Sequence, residues 1–226
     1  MARIARIVIP GAPHHITQRG NRRQEIFSEA DDYALYRDLM AESCRRAGVE
    51  VWSYCLMPNH VHLAMVPSTE DGLARAVGET HRRYSAYINA RLRVTGHLFQ
   101  SRFNSVAMDE AHWMAAARYI AMNPVKAGLV AHPWDWPWSS SPAHILGKDD
   151  ALVSVAPLLE RVHSAQAYLE LEVEPDYEQA LTRGQRIGRP LMPRTVLEEL
   201  ERKTGHSILP RKRGRKPKQR EEGGSS

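Results

Sequence analysis

Val49-Glu-Val-Trp-Ser-Tyr-Cys-Leu56, then Met57-Pro-Asn59, then His60-Val-His-Leu-Ala-Met-Val66 is the stretch that decides the fold. Val49 to Leu56 alternates in polarity and carries Trp52 and Tyr54, which predicts a strand. Met57-Pro58-Asn59 reads as a turn, and His60 to Val66 as a second strand stopped by Pro67. Upstream, residues 29–47 place Leu35, Leu39, Ala41, Cys44 and Ala47 on a roughly helical period, with Gly48 as terminator. Downstream, residues 70–93 predict a long helix with Arg75, Arg82, Arg83, Arg91 and Arg93 on its basic side, ended by Gly96. Arg6 to Gln18 reads as extended chain running into Arg19-Gly20-Asn21, and Phe99 to Met108 as a further strand. Residues 109–122 predict a third helix, with Asp109 as N-cap. The order β-α-β-β-α-β plus a helix is that of an α+β, ferredoxin-like antiparallel sheet. Two helices would cover one face, leaving the other for a ligand or for the third helix. Such a fold hosts many functions and does not by itself name one.

The chain has 226 residues, 42% of them hydrophobic, enough for one good core with appendages. Charge divides it further: residues 1–130 carry +4, residues 131–180 carry −7 and residues 181–226 carry +8, within a net +5. We therefore read a body over 1–130, a Trp/Pro and acidic helical extension over 131–180, and a basic C-terminal tail over 181–226. The Trp/Pro segment, Pro133 to Pro142, is expected to pack on the body rather than to form a domain. A basic body and tail point to a polyanion partner, and the acidic middle to a possible contact with the tail; the bland alternative is a tail that only aids solubility. Cys44 and Cys55 both lie in apolar stretches, as buried thiols of a reducing compartment do. No apolar run approaches a membrane span of about 20 residues, and the N-terminus lacks the apolar block of a signal peptide. A soluble cytoplasmic protein without membrane contact is the expectation.

Two patterns carry chemistry. His60 and His62 are i and i+2 in a strand, so their imidazoles project from one face as two metal ligands would. Alone, such a pair is as readily two core or surface histidines. Tyr119 and Asn123 are four apart on the third helix and share a face. Pro124 biases Asn123 away from α geometry, which predicts it at the helix end. An Asn oxygen there can be a third ligand, with a tyrosine one turn back beside the same metal. The competing reading is a core tyrosine and a helix cap, and only the conjunction of both patterns favours chemistry.

Pro13-His-His-Ile-Thr-Gln-Arg-Gly-Asn21, Met57-Pro-Asn-His-Val-His-Leu63, Gly96-His-Leu-Phe-Gln-Ser-Arg-Phe103 and Tyr119-Ile-Ala-Met-Asn-Pro-Val-Lys-Ala-Gly-Leu129 together resemble the single-tyrosine HUH transposases, and within them the REP-associated tyrosine transposases. The resemblance runs in order over residues 7–142, with a weaker likeness at Gly188 and Gly214-Arg-Lys-Pro217. It implies that Tyr119 is the nucleophile, and that His60, His62 and Asn123 hold a divalent metal, Mg²⁺ or Mn²⁺. It implies cleavage and rejoining of single-stranded DNA beside hairpins through a 5′-phosphotyrosine intermediate. It also implies a monomer with its site in one chain. An insertion-sequence transposase working as a dimer, or a hairpin-binding regulator that does not cut, are the alternatives.

Arg19, Arg22, Arg23, Arg82, Arg83, Arg102 and Lys126 are candidate DNA contacts, each with a solvated surface charge as its alternative. Phe99 and Phe103 could stack on bases, although core packing suits both better. In the tail, Arg211, Arg213 and Arg215 belong to a segment that resembles an AT-hook interrupted by Lys216, which favours a phosphate-binding arm associated with the nucleoid.

Overall fold

The computed structural model describes residues 6–205 together with 208 and 209. Its centre is an antiparallel sheet of β1 (His14–Arg19), β2 (Val49–Met57), β3 (His60–Pro67) and β4 (Asn104–Ala107) in the order β2-β3-β1-β4. With α1 (Ala30–Ala47) between β1 and β2, and α2 (Gly72–Leu92) between β3 and β4, this is the expected ferredoxin-like arrangement. α1 ends where Gly48 takes φ 65°, a left-handed conformation that glycine adopts without a Cβ penalty.

Alternation in the strands sorts the core into two layers. Ile16, Tyr54, Leu56, Val61, Leu63 and Met65 face α1 and α2, where they meet Tyr36, Met40, Leu73, Val77 and Tyr84. Cys55, Met57 and Ala64 face the other way, onto Trp113, Ala117, Ile120 and Ala121 of α3 (Glu110–Lys126). The third helix therefore occupies the face that the hairpin pattern left open. Both cysteines are free and buried, and burial raises both thiols, Cys44 to about 12.

Two expectations need correction. The strand predicted over Phe99 to Met108 is paired only at Asn104–Ala107, apart from an isolated bridge between Phe99 and Gly20; Ser101, at φ 54°, breaks the run between them. The third helix does not end at Asn123 but continues through Pro124 to Lys126. Proline lacks the N–H that would reach the carbonyl of Ile120, and its ring crowds that turn. The Asn123 amide donates to the neighbouring Tyr119 carbonyl at 2.6 Å, and the Ala127 N–H closes the next turn on Asn123 O at 3.0 Å.

The chain beyond α3 closes both edges of the sheet. Trp138 to Ser140 line the outer side of β2, with Leu56 N–H donating to Trp138 O at 2.8 Å and Ser140 N–H to Tyr54 O at 2.9 Å. Trp136 and Trp138 pack on the main core, as expected of this segment. Leu191 lies along β4, where its N–H donates to Ala107 O at 2.7 Å and its carbonyl accepts from Asp109 N–H at 2.9 Å. Such cover removes the exposed edges that would template aggregation. Short helices α4 (Ser141–Leu146), α5 (Ala156–Leu159) and α6 (Ala165–Leu169) follow, then α7 (Pro175–Ile187). α7 packs against α3 and β4: Leu181 is buried beside Ala116 and Met108, while Glu174 pairs with Arg118 and Glu178 with Lys126, at 2.7 and 2.5 Å. Acidic residues of the middle segment thus pair with cations of α3. A second unit begins at Arg194 and contains α8 (Arg194–Thr204), in which Arg194 pairs with Glu198. No helix among the described residues is long and apolar enough to cross a membrane.

Candidate active site

The register of the sheet builds the site. His60 stands opposite Arg19 and His62 opposite Thr17 on β1, while Ala64 stands opposite His15. Because every second residue shares a face, His15, Thr17, Arg19, His60 and His62 all lie on the α3 side. α3 is held there by Asp109, whose side chain accepts from the His112 N–H at 2.9 Å, and by the buried Trp113. It presents Tyr119 edge-on to two imidazoles, with ring centroids 5.6 Å from His62 and 5.8 Å from His15. The His60 and His62 rings are 4.9 Å apart.

Hydrogen bonds decide which nitrogen each histidine offers. The Asn59 amide donates to Arg23 O at 3.3 Å, which turns its oxygen toward His60, and His60 Nδ1–H donates to that Oδ1 at 2.6 Å. His62 Nδ1 shares a hydrogen bond of 3.0 Å with His15 Nε2. In both rings Nδ1 is engaged and Nε2 is the nitrogen left over. Burial, reinforced by the charge of Arg19, lowers His60 to about 4; burial, then His15, His60 and Arg19, holds His62 well below its usual value. Both are neutral imidazoles at neutral pH, the form that binds metal. Asn123 gives its amide N–H to Tyr119 O, so its oxygen is the free end of the group. Among the described residues no group of three or more His, Cys, Asp or Glu could hold a metal. A metal here would rest on two imidazoles and a neutral amide, which leaves room for oxygens from water or substrate.

The candidate DNA contacts divide into three kinds. Arg19 is exposed beside His60, and Arg22 and Arg23 are exposed in the loop that follows. Arg22 and Arg23 take φ of 53° and 64°, unfavourable for residues with a Cβ. That loop is stapled to the turn before His60, since Ile26 N–H and Phe27 N–H both donate to Pro58 O, at 2.8 and 3.1 Å. By contrast, Arg82 pairs with Glu79, Arg83 with Glu42 and Lys126 with Glu178, each within 2.7 Å. Arg102 is exposed and, with Arg6, Arg82, His81 and Phe99, lines a groove of about 510 Å³. Phe103 is buried in the core, and Phe99 stacks on His81 at 4.1 Å between centroids. Arg211, Arg213 and Arg215 lie outside the described residues.

His15 is the participant that sequence reasoning missed. It is 1% exposed and touches both His62 and Tyr119. The signal was present in Pro13-His-His-Ile-Thr-Gln, but which of the two histidines shares a face with His62 follows only from the strand register.

A histidine pair on the central strand of a ferredoxin-like sheet, faced by a helix-borne tyrosine, defines a single-tyrosine histidine-pair protein. The chain belongs to the IS200-like transposase family, whose model matches residues 11–123. That family is one of HUH-type enzymes that cleave DNA and transfer strands. A protein of Haemophilus influenzae assigned by name to the REP-associated tyrosine transposases is 26% identical over 117 residues, 46% of this chain. The match spans 66% of that relative's length, just under two thirds. A solved structure of a REP-associated tyrosine transposase bound to a REP hairpin superposes with a TM-score of 0.56 and 22% identity, covering 68% of this chain and 92% of that one. The likeness to it shows that the two share a fold.

Proposed function

We propose that the chain cuts and rejoins single-stranded DNA beside repetitive extragenic palindromic hairpins, with Tyr119 as nucleophile. The observation that carries this reading is the Tyr119 ring lying 5.6 Å from that of His62, across an interface that α3 shares with β1 and β3. His60, His62 and Asn123 would hold a divalent metal, Mg²⁺ or Mn²⁺, through Nε2, Nε2 and Oδ1. When bound, the metal supplies Lewis-acid polarisation of the scissile phosphate. The phenol oxygen of Tyr119 attacks phosphorus and gives up its proton. The bond from phosphorus to the 3′ oxygen breaks, and that oxygen leaves as a 3′-OH after taking a proton. The DNA 5′ end stays on Tyr119 as a phosphodiester, so a 3′-OH can reverse the step without another energy source.

Arg19 sits beside His60 and suits a phosphate next to the cut. Arg22 and Arg23, in a strained loop tied to the same turn, suit the backbone on that side. The groove lined by Arg82, Arg102 and Phe99 includes the residue that bridges to Gly20, next in sequence to Arg19, and suits a more distant stretch of the same DNA strand. Arg82, Arg83 and Lys126 are available only once their carboxylate partners yield. Arg211, Arg213 and Arg215 would add a non-specific phosphate-binding arm. Because Tyr119 meets the histidines of its own chain, a monomer suffices for the chemistry. A cytoplasmic protein associated with the nucleoid fits these roles.

The test is to incubate the protein with Mg²⁺ or Mn²⁺ and labelled single-stranded oligonucleotides bearing hairpins, beside Tyr119→Phe. A denaturant-stable covalent adduct that vanishes in the variant is the expected result. Tight hairpin binding with no adduct in either protein would replace this reading with that of a non-cutting regulator.

A further inference from the structure

We infer that His15 is a positioning residue: it occupies Nδ1 of His62, so that only Nε2 of His62 would be left to hold a metal, and it wedges the same ring against Tyr119. The inference rests on the metal reading above and extends it to a side chain that reading does not use.

His15 is buried at the second position of β1, where a strand facing an apolar helix favours Val, Ile or Phe. Burying an imidazole there carries a desolvation penalty that a hydrocarbon would not. The ring makes a single polar contact among the described residues, the 3.0 Å hydrogen bond between its Nε2 and His62 Nδ1, while its Nδ1 meets no partner. Among the described residues no wider hydrogen-bond network explains His15, and its polarity serves His62. The same ring stacks on His62 with centroids 5.2 Å apart and 27° between planes, and its edge meets Tyr119 at 5.8 Å and 74°. His15 thus fixes the rotation of His62 through one hydrogen bond and one stacked face, while also limiting where the tyrosine ring can lie.

Chemistry sets the direction of that bond when a metal is present. A neutral imidazole that ligates through Nε2 carries its proton on Nδ1. His62 must then donate and His15 must accept. The paired arrangement at His60, where Nδ1–H donates to Asn59 Oδ1 at 2.6 Å, is the same device built from an amide. Partners that orient a ligating histidine in this way typically matter by about 10–100-fold in metal affinity.

The experiment compares the full chain with His15→Phe, which keeps the ring and removes the acceptor, and His15→Gln, which keeps an acceptor in a smaller side chain. Mn²⁺ affinity is measured by titration without DNA. Imidazole ¹⁵N–¹H correlation spectra of the Mg²⁺-loaded protein report which nitrogen of His62 is protonated. Melting temperatures confirm that each variant is folded. The expected result is Nδ1–H at His62 in the parent, Mn²⁺ binding weakened about 10–100-fold in His15→Phe, and partial recovery in His15→Gln. Equal Mn²⁺ affinity in the parent and a folded His15→Phe overturns the inference and leaves the metal reading standing. So does an Nε2-protonated His62 in the loaded parent. Failure of the parent itself to bind Mn²⁺ removes the metal reading, and this inference falls with it. If both variants unfold, the ¹⁵N spectrum of the loaded parent alone decides.

Discussion

Replacing Asp32 by Asn should loosen the helical layer that backs the site. Asp32 lies in the first turn of α1 and its side chain is 0% exposed. It receives two hydrogen bonds from Arg91 of α2, at 2.6 and 2.8 Å, and one from the Ser28 N–H at 2.9 Å. One carboxylate therefore ties α1, α2 and the end of the Arg22–Arg23 loop together. Removing one partner of a buried pair costs about 3–5 kcal/mol, because the other charge is left behind. Here Arg91 is 24% exposed and can fall back on Glu29 at 2.7 Å, which argues for the lower end, about 3 kcal/mol. Asn keeps the shape and can still accept from Ser28, but it removes the charge and sets an amide N–H against Arg91 where Oδ1 had accepted. For a chain of this size, about 3 kcal/mol corresponds to a drop of roughly 6–12 °C in melting temperature. Urea unfolding should show an unchanged slope and a lower midpoint. A loss under about 1 kcal/mol would mean that the pair behaves like an ordinary surface pair and that the clamp is misread.

Two further outcomes follow from the loop and from the buried histidines. Arg22→Gly relieves a left-handed residue, a strain of about 1–2 kcal/mol, against about 0.5–1 kcal/mol for the added freedom of the unfolded chain. Stability should stay level or rise slightly while affinity for single-stranded DNA falls and its log–log salt slope flattens by about 1; unaltered binding would remove Arg22 from the interface. His14 and His144 are buried and lowered by that burial from 6.5 to about 4, so the unfolded chain binds more protons than the folded one between those values. Stability should therefore fall as pH drops from 6.5 toward 4, by up to about 3 kcal/mol for each histidine, a large part of the margin of a typical domain. Urea midpoints that are flat from pH 7 to 4.5 would refute it.

Most of the fold could be read from periodicity because each element keeps one pattern along its length. The Val49–Val66 hairpin shows alternation, a proline-containing turn and a proline stop, and each local signal agrees with the others. The reading failed where tertiary contacts outvote local rules. Pro124 is a strong local breaker, yet the buried packing of Ile120, Ala121 and Pro124 carries α3 one turn further. Phe99 to Met108 has strand composition throughout, but only Asn104–Ala107 finds a full partner on β1. The edge cover from Trp138–Ser140 and Leu191 has no local signature, since it consists of backbone hydrogen bonds between residues more than 80 positions apart.

The site shows the same division in sharper form. His60, His62 and Tyr119 could be picked out because strand and helix periods place them within their own elements. What lies between elements could not. His14 and His15 are identical in type and adjacent in sequence, but a strand sends them to opposite faces. His14 is spent on the backbone, with its Nδ1 on Ala12 O at 2.8 Å and its Nε2 accepting from Ile9 N–H at 3.1 Å. His15, one step on, meets His62 and the edge of Tyr119. A one-residue slip of β1 against β3 would exchange them, and would also move Arg19 away from His60. The hydrophobic register that buries Ile16 against α1 and α2 is therefore the same constraint that delivers His15, Thr17 and Arg19 to the other face. Core packing on one side of the sheet thereby sets the chemistry on the other.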